Sequence, residues 1–526
     1  MNVSLAVLIV FSLLSFITAP AMAKPNIVLI LADDMGWSDI GAYGGEIETP
    51  NLDLLAQEGL RFTRFYNNTK CNPSRASLLT GLYSHQSGFG YVDLDLGLPA
   101  YRGFLNDHCV TAAEVLSPAG YATLMTGKWH LGDAPEHWPH QRGFDRFWGV
   151  PSGGGFYYNS GLVHHPDRFI VENDERIKIN DQEYITDTFT DHALRFIDEA
   201  VTETKKPFFL YLAYNAPHYP LQAKPDDIAK YAGRYDVGWD VVRTRRFARQ
   251  KEMGLVPSGA SLSPRDPNSK AWDDLSEDQR QELAHRMEVY AAQIDSMDQN
   301  IGRLIAKLKE LGQAEDTLIL FLSDNGAESS GGLGGFDRSL PDAPLGTGRS
   351  YASFGLGWAN ASNTPFRKFK GHDHEGGIIT PLIAHWPSGI SARGELRHQV
   401  GHVIDLMPTL VEIGSATYPT EYKGQSVQPL EGRSLVPALT GPDSPQDRTL
   451  FWAFWPDSAV RSGNWKLVRS GARSPWELYD LSSDIDEEHD LAAEHPDRVK
   501  TLSSEWGAWA RRVGAELVDP RKKASN

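Results

Sequence analysis

Short apolar runs recur along the chain, and four of them end abruptly in groups of polar residues. Segments 26–32, 121–125, 207–214 and 317–323 are nearly continuous apolar stretches, while 61–66 and 378–386 are more mixed. Runs of this length predict strands, mostly buried on both faces of a parallel sheet. Helical periods lie between them. Thr49 and Pro50 open one helix and Gly59 closes it. Segment 282–311 places Leu283, Met287, Tyr290, Ile294, Met297, Ile301, Leu304, Leu308 and Leu311 at alternating steps of four and three. That is one continuous helical stripe against a core, with Gly312 as its stop. Strands alternating with helices require right-handed crossovers, so the expected fold class is α/β, with a large, mainly parallel sheet flanked by helices.

The pattern changes at three places. From 327 to 363 Gly and Ser dominate with no apolar period, which predicts a long functional or unstructured loop. Near 441–447 turn formers, Pro442 and Pro445 among them, mark a boundary. Beyond it, 449–454, 464–469 and 476–481 read as short strands, and Pro496 opens a helix with Val499, Leu502, Trp506, Trp509 and Val513 at helical spacing. The expectation is an α/β unit over 24–445 and a small antiparallel sheet plus helix over 446–526. At the start, residues 1–23 carry no charged side chain, and the apolar run 3–17 precedes Ala21-Met22-Ala23, which reads as a cleavable signal peptide. The run is short for a span of ~20 residues and no later stretch qualifies. The mature chain is therefore expected to be exported, periplasmic or extracellular, with no membrane span.

Composition narrows the function classes. With 41% hydrophobic and 23% charged residues over 526 positions, this is an ordinary globular chain. A formal charge of -17 argues against a non-specific grip on nucleic acid or an anionic membrane, so an anionic substrate has to be met by a local cluster of cations. There are two cysteines, Cys71 and Cys109, and in an oxidising compartment a disulfide between them is the competing structural reading.

The candidate chemistry sits where the apolar runs end. Asp33-Asp34, Lys128 with His130, His218, and Asp324-Asn325 follow four of them. Parallel strands bring such ends to one edge, where open α/β sheets bind ligands. Three Asp and an Asn amide oxygen are hard ligands suited to Ca²⁺ or Mg²⁺, with no soft set for Zn²⁺. Arg75, Lys128 and Lys370 supply cations for an oxyanion, and His130 and His218 suit proton transfer. The string 71–81, Cys-Asn-Pro-Ser-Arg-Ala-Ser-Leu-Leu-Thr-Gly, reads as a helix opened by Pro73, capped by Asn72 or Ser74 and ended by Gly81. That would put Cys71 at the positive end of a helix dipole, one turn from Arg75, where a thiolate or a bound anion is stabilised.

This eleven-residue string resembles the signature of the sulfatase family. Asp33-Asp34, 127–132, 323–326, 365–370 with Glu375-Gly376-Gly377, and the 476–481 strand resemble further motifs of that family in the same order. Segments 357–365 and 378–387 are most similar to its bacterial arylsulfatase branch. The resemblance implies an alkaline-phosphatase-like fold and hydrolysis of a sulfate monoester of a small molecule or saccharide. It implies that a formylglycine-generating maturation enzyme converts Cys71 to formylglycine, whose hydrated aldehyde is the nucleophile. Asp33, Asp34, Asp324 and Asn325 would hold one Ca²⁺ together with an oxygen of residue 71. Asp324 would take the proton of the attacking hydroxyl, and Arg75 and Lys128 would stabilise the residue 71 hydroxyls. His218 and Lys370 would bind the sulfate and protonate the leaving group, and His130 would deprotonate the second hydroxyl to release sulfate. Segments 91–102, His164-His165 and 327–364 are candidates for the leaving-group pocket. Two other functions compete: a phosphonate or phosphate diester hydrolase with the same formylglycine motif, and a non-catalytic binder of sulfated glycans.

Overall fold

The computed structural model describes residues 24–515 and 519, so the signal-peptide expectation at 1–23 lies outside the described residues. One 11-stranded sheet organises the chain. Its main strands are β1 (Asn26–Asp33), β2 (Leu60–Tyr66), β3 (Ala122–Lys128), β4 (Arg146–Val150), β5 (Phe208–Pro217), β6 (Thr317–Ser323) and β7 (Ile379–His385). They lie side by side in the order β2, β7, β6, β1, β5, β3, β4, with short strands extending both edges. From β6 to β4 all neighbours are parallel, whereas β7 runs antiparallel to both β2 and β6. The expected mainly parallel sheet is present. Its one reversed central strand is invisible in the pattern, because a strand buried on both faces reads the same in either direction.

Alternation along β1 builds the two cores. Val28 and Ile30 point into one apolar cluster and Ile27, Leu29 and Leu31 into the other, all fully buried. Helices α1 (Pro50–Glu58), α2 (Cys71–Thr80), α3 (Ile185–Asp198), α4 (Gly238–Glu252) and α5 (Glu277–Glu310) flank the sheet. α5 starts before its apolar stripe because Ser276 and Gln279 close a capping box: Ser276 Oγ accepts from Gln279 N–H, and Gln279 Oε1 accepts from Ser276 N–H. The stretch expected to lack structure contains α6 (Leu356–Ser362), which docks on α5 through Trp358 Nε1, donating to the Leu283 carbonyl at 2.7 Å. Its Gly and Ser residues hide a helix whose anchor is one tryptophan. Among the described residues no helix is long and apolar enough to cross a membrane.

The C-terminal antiparallel sheet comprises β8 (Thr449–Phe454), β9 (Asp457–Ser462), β10 (Trp465–Arg469) and β11 (Glu477–Asp480), covered by α7 (Pro496–Val513). The sequence pattern does not predict β9, since Asp457, Ser458, Arg461 and Ser462 give it the look of a loop. Its polar side chains are nonetheless mostly buried against the main body. Trp452 Nε1 on β8 donates to the Asn67 carbonyl at 2.8 Å, and Lys466 Nζ on β10 lies 2.8 Å from both Glu375 and Glu487. Lys466 is fully buried, so removing it strands two carboxylates away from water. Lys466→Ala is expected to destabilise the protein by about 3–5 kcal/mol, measured as a fall in the unfolding midpoint in denaturant.

Candidate functional site

The carboxyl ends of the parallel strands gather the polar residues. Ala32 pairs with Ser323 and Asp33 with Pro217, so Asp33-Asp34, Asp324-Asn325 and His218 emerge side by side. Next along, Gly127 pairs with Ala213 and leaves Lys128 at the same level. Lys128 is the last residue of β3 and not, as the apolar run implies, part of a loop beyond it. Asp34 and His130 hold left-handed backbone, with φ of 66° and 60°, which is uncommon for residues with a side chain.

α2 presents Cys71 as its first residue. Neither Asn72 nor Ser74 caps it: Lys70 is the N-cap without a side-chain bond, Ser74 Oγ accepts from Asn68 N–H at 3.0 Å, and Asn72 donates to Asp93. Gly81 closes the helix at φ 71°. All ten residues of α2 are buried, Arg75 included.

Arg75 ties this helix to two strands. Its Nε and Nη2 donate to Asp324 Oδ2 at 3.0 and 2.8 Å, and Nη1 donates to the Lys128 carbonyl at 2.8 Å. Asp324 Oδ1 accepts from Asp34 N–H at 3.2 Å. Lys128 Nζ meets Asp33 Oδ2 at 2.6 Å, and Lys370 Nζ lies 2.7 Å from Asp34 Oδ1 and 3.4 Å from Glu328. Asn325 Nδ2 donates to Asp34 Oδ1 at 2.6 Å. His218 Nδ1 donates to the Tyr219 carbonyl at 2.6 Å, which leaves Nε2 turned to Asp34 Oδ2 at 3.4 Å.

Burial opposes ionisation of Asp33, yet Lys128, His218 and Arg75 hold its carboxyl well below the usual range. Asp324 moves the other way, to about 7, through burial and the Asp33 charge. Burial pushes the Cys71 thiol up to about 12, outweighing the two nearby ammoniums of Lys128 and Lys370. The thiolate expected from the helix terminus is therefore not supported; residue 71 as encoded is a protonated thiol. Cys71 and Cys109 are both free, which removes the disulfide reading.

Asp33, Asp34, Cys71 and His218 bring ligand atoms within 4.8 Å of one another, the single such group among the described residues. Asp33 Oδ1 and Asn325 Oδ1 are buried with no hydrogen-bond partner. Buried acceptors of this kind need a donor or a cation, and the oxygen-rich set fits a hard divalent ion. Asp324 is not one of those four, but it adjoins them: its Oδ2 accepts from two Arg75 donors, while Oδ1 accepts only from Asp34 N–H and keeps a lone pair for a cation.

Two features around this centre have no local sequence signal. Asp93 Oδ2 accepts from His130 Nε2 at 2.9 Å, and His130 Nδ1 is buried without a partner. An aromatic wall runs from Tyr219, with its centroid 4.2 Å from that of His218, through Phe336 to Tyr351, whose hydroxyl meets His165 Nε2 at 2.7 Å. Asp93, His165, Phe336 and Tyr351 fall inside 91–102, His164-His165 and 327–364, but only the fold selects which residues of each segment face the centre.

Residues 25–415 match the family described as Sulfatase, and residues 369–505 match the C-terminal region of N-sulphoglucosamine sulphohydrolase. An uncharacterized sulfatase of Schizosaccharomyces pombe is 35% identical, over 93% of this chain and 94% of its own. An arylsulfatase of Klebsiella aerogenes is also 35% identical, over 79% of this chain and 92% of its own. The solved structure of Ps i-CgsB in complex with k-i-k-neocarrahexaose superposes with a TM-score of 0.68 and 28% identity, covering 93% of each chain.

Because Arg75 and Asp324 are both fully buried, deleting one leaves the other without its partner. Arg75→Ala is expected to lower stability by about 3–5 kcal/mol, read from denaturant unfolding of the purified variant.

Proposed function

The chain belongs to the sulfatase family, and from that premise we propose that it is an exported enzyme whose nucleophile is a formylglycine made from Cys71. It is a sulfuric ester hydrolase with the alkaline-phosphatase-like fold. The reaction is RO–SO₃⁻ + H₂O → ROH + SO₄²⁻ + H⁺. The observation that carries the proposal is the setting of residue 71, at a helix start amid the charges of Lys128, Lys370, Asp33 and Asp324, where a thiol is held protonated. Such surroundings suit an oxygen nucleophile and an anionic ester better than a cysteine.

Asp33, Asp34, Asp324 and Asn325, with residue 71, would hold Ca²⁺, which when bound neutralises and polarises the sulfate oxygens. Lys370 binds a sulfate oxygen; burial opposes its charge, but Asp34 and the other anions around it hold its ammonium well above the usual range. Arg75 and Lys128 orient the group at residue 71. Asp324, beside residue 71, accepts the proton released there on attack. His218 has its Nδ1 proton committed to the Tyr219 carbonyl and burial holds the ring neutral, so Nε2 can pass on a proton to the leaving oxygen only after taking one up, and the Lys370 ammonium is the group that already carries one. His130 donates Nε2–H to Asp93, which leaves the Nδ1 lone pair as the base that releases sulfate.

The test has two arms. In protein from a host with the maturing enzyme, mass analysis of the residue 71 peptide should show CH₂SH replaced by CHO, and an aryl sulfate should be turned over in preference to an aryl phosphonate. An intact thiol in active protein, or a clear phosphonate preference, refutes the proposal. A second expectation concerns Asp93. Asp93→Ala should lower kcat on the order of 10- to 100-fold with little change in KM. Burial lowers the pKa of His130 and Asp93 pulls it back up, so loss of Asp93 should shift the acidic limb of the pH–rate profile to lower pH.

A further inference from the structure

We propose that Arg168 reads a second acidic group on the substrate, so that the preferred esters are saccharides bearing a carboxylate or another sulfate beside the scissile one. This rests on the sulfatase reading above. Gly153-Gly154-Gly155 form the strip of backbone after β4. A Cβ on Gly153 would stand 3.0 Å from His130 Nε2 and 3.6 Å from Arg168 Nη2. One on Gly154 would stand 3.5 Å from Asp33 Oδ2, and one on Gly155 would stand 2.1 Å from Arg168 Nη1 and 3.2 Å from His165. Gly155 also has φ 133°, which side chains rarely adopt. Three glycines in succession thus leave room where side chains would collide, and a single Cβ position at Gly153 lies within 3.6 Å of both His130 and Arg168, so the guanidinium borders the centre itself.

The guanidinium is not used by the fold. Arg168 Nη1 is buried with no hydrogen-bond partner, and Arg168 forms no side-chain hydrogen bond or ion pair among the described residues. Asp93, Asp133 and Asp167 are its acidic neighbours. Asp93 is already engaged by His130 and Asn72. A buried guanidinium N–H without an acceptor is costly, and the group it suits best is a planar or tetrahedral oxyanion bound through paired N–H donors. Beside it, the Tyr219–Phe336–Tyr351 wall offers ring faces to an apolar sugar face, and His164, His165 and the Tyr351 hydroxyl offer partners to sugar hydroxyls. A simple aryl sulfate would use the wall and leave Arg168 unpaired.

The experiment uses the matured, calcium-loaded enzyme and matched pairs of sulfated sugars that differ only in a second sulfate or a neighbouring uronate carboxylate. The wild type should favour the doubly acidic member by about tenfold or more in kcat/KM. In Arg168→Ala that ratio should collapse to within about twofold, chiefly through KM, and Arg168→Lys should restore part of it. A wild type without the preference overturns the proposal. So does an Arg168→Ala variant that loses the same factor on both members, which is the mark of an arginine that only balances Asp93, Asp133 and Asp167. If no sulfate ester were hydrolysed at all, the sulfatase reading would fail by itself. Calorimetric titration of Cys71→Ala with the same pairs would then still decide Arg168, through about tenfold tighter binding of the doubly acidic sugar, lost in Cys71→Ala/Arg168→Ala.

Discussion

The contact on which the site depends is the buried pair of Arg75 and Asp324. Asp324 follows β6, Arg75 sits one turn into α2, and the third arm of the guanidinium holds the Lys128 carbonyl at the end of β3. One side chain therefore sets the depth of the helix that carries Cys71 against two strand ends that are far apart in sequence. An aliphatic residue could fill that space, but only a planar fork with donors in three directions fixes all three elements at once.

Around that pair the charges are close to balanced. Asp33, Asp34 and Asp324 face Arg75, Lys128 and Lys370, and every one of them is buried. Burial makes each charge unfavourable alone, so the ions persist as a network and shift one another: Asp33 is held down while Asp324 is raised. The same field acts on residue 71. A helix start would favour a thiolate at the surface, whereas here burial wins and the thiol stays protonated. A dipole effect acting over one turn is weaker than the loss of water around a charge.

Much of this centre is legible in the amino-acid sequence. Asp33-Asp34, His218 and Asp324-Asn325 stand out because each follows an apolar run, and the parallel sheet brings such ends together as a matter of topology. Segment 71–81 is legible as a helix from Pro73 and Gly81, though its first residue and its capping are not. Asp93 and Arg168 leave no local trace, because each lies in a stretch without period, and its meaning comes from a partner 37 residues away or from the glycine strip packed against it. The same holds for α6 and β9, whose compositions read as loop and whose stability comes from what they dock against.

The apolar alternation, the helix stripe of α5 and the order of motifs were determined by the sequence itself. They depend on neighbours a few residues apart, where spacing alone dictates which side chains share a face. Tertiary structure decided the direction of β7, the protonation of Cys71, the division of charge between Asp33 and Asp324, and the placement of Arg168 beside a strip of three glycines next to His130. Each of these is set by burial and by contacts between residues distant along the chain, and neither distance in space nor exclusion of water is written in local pattern.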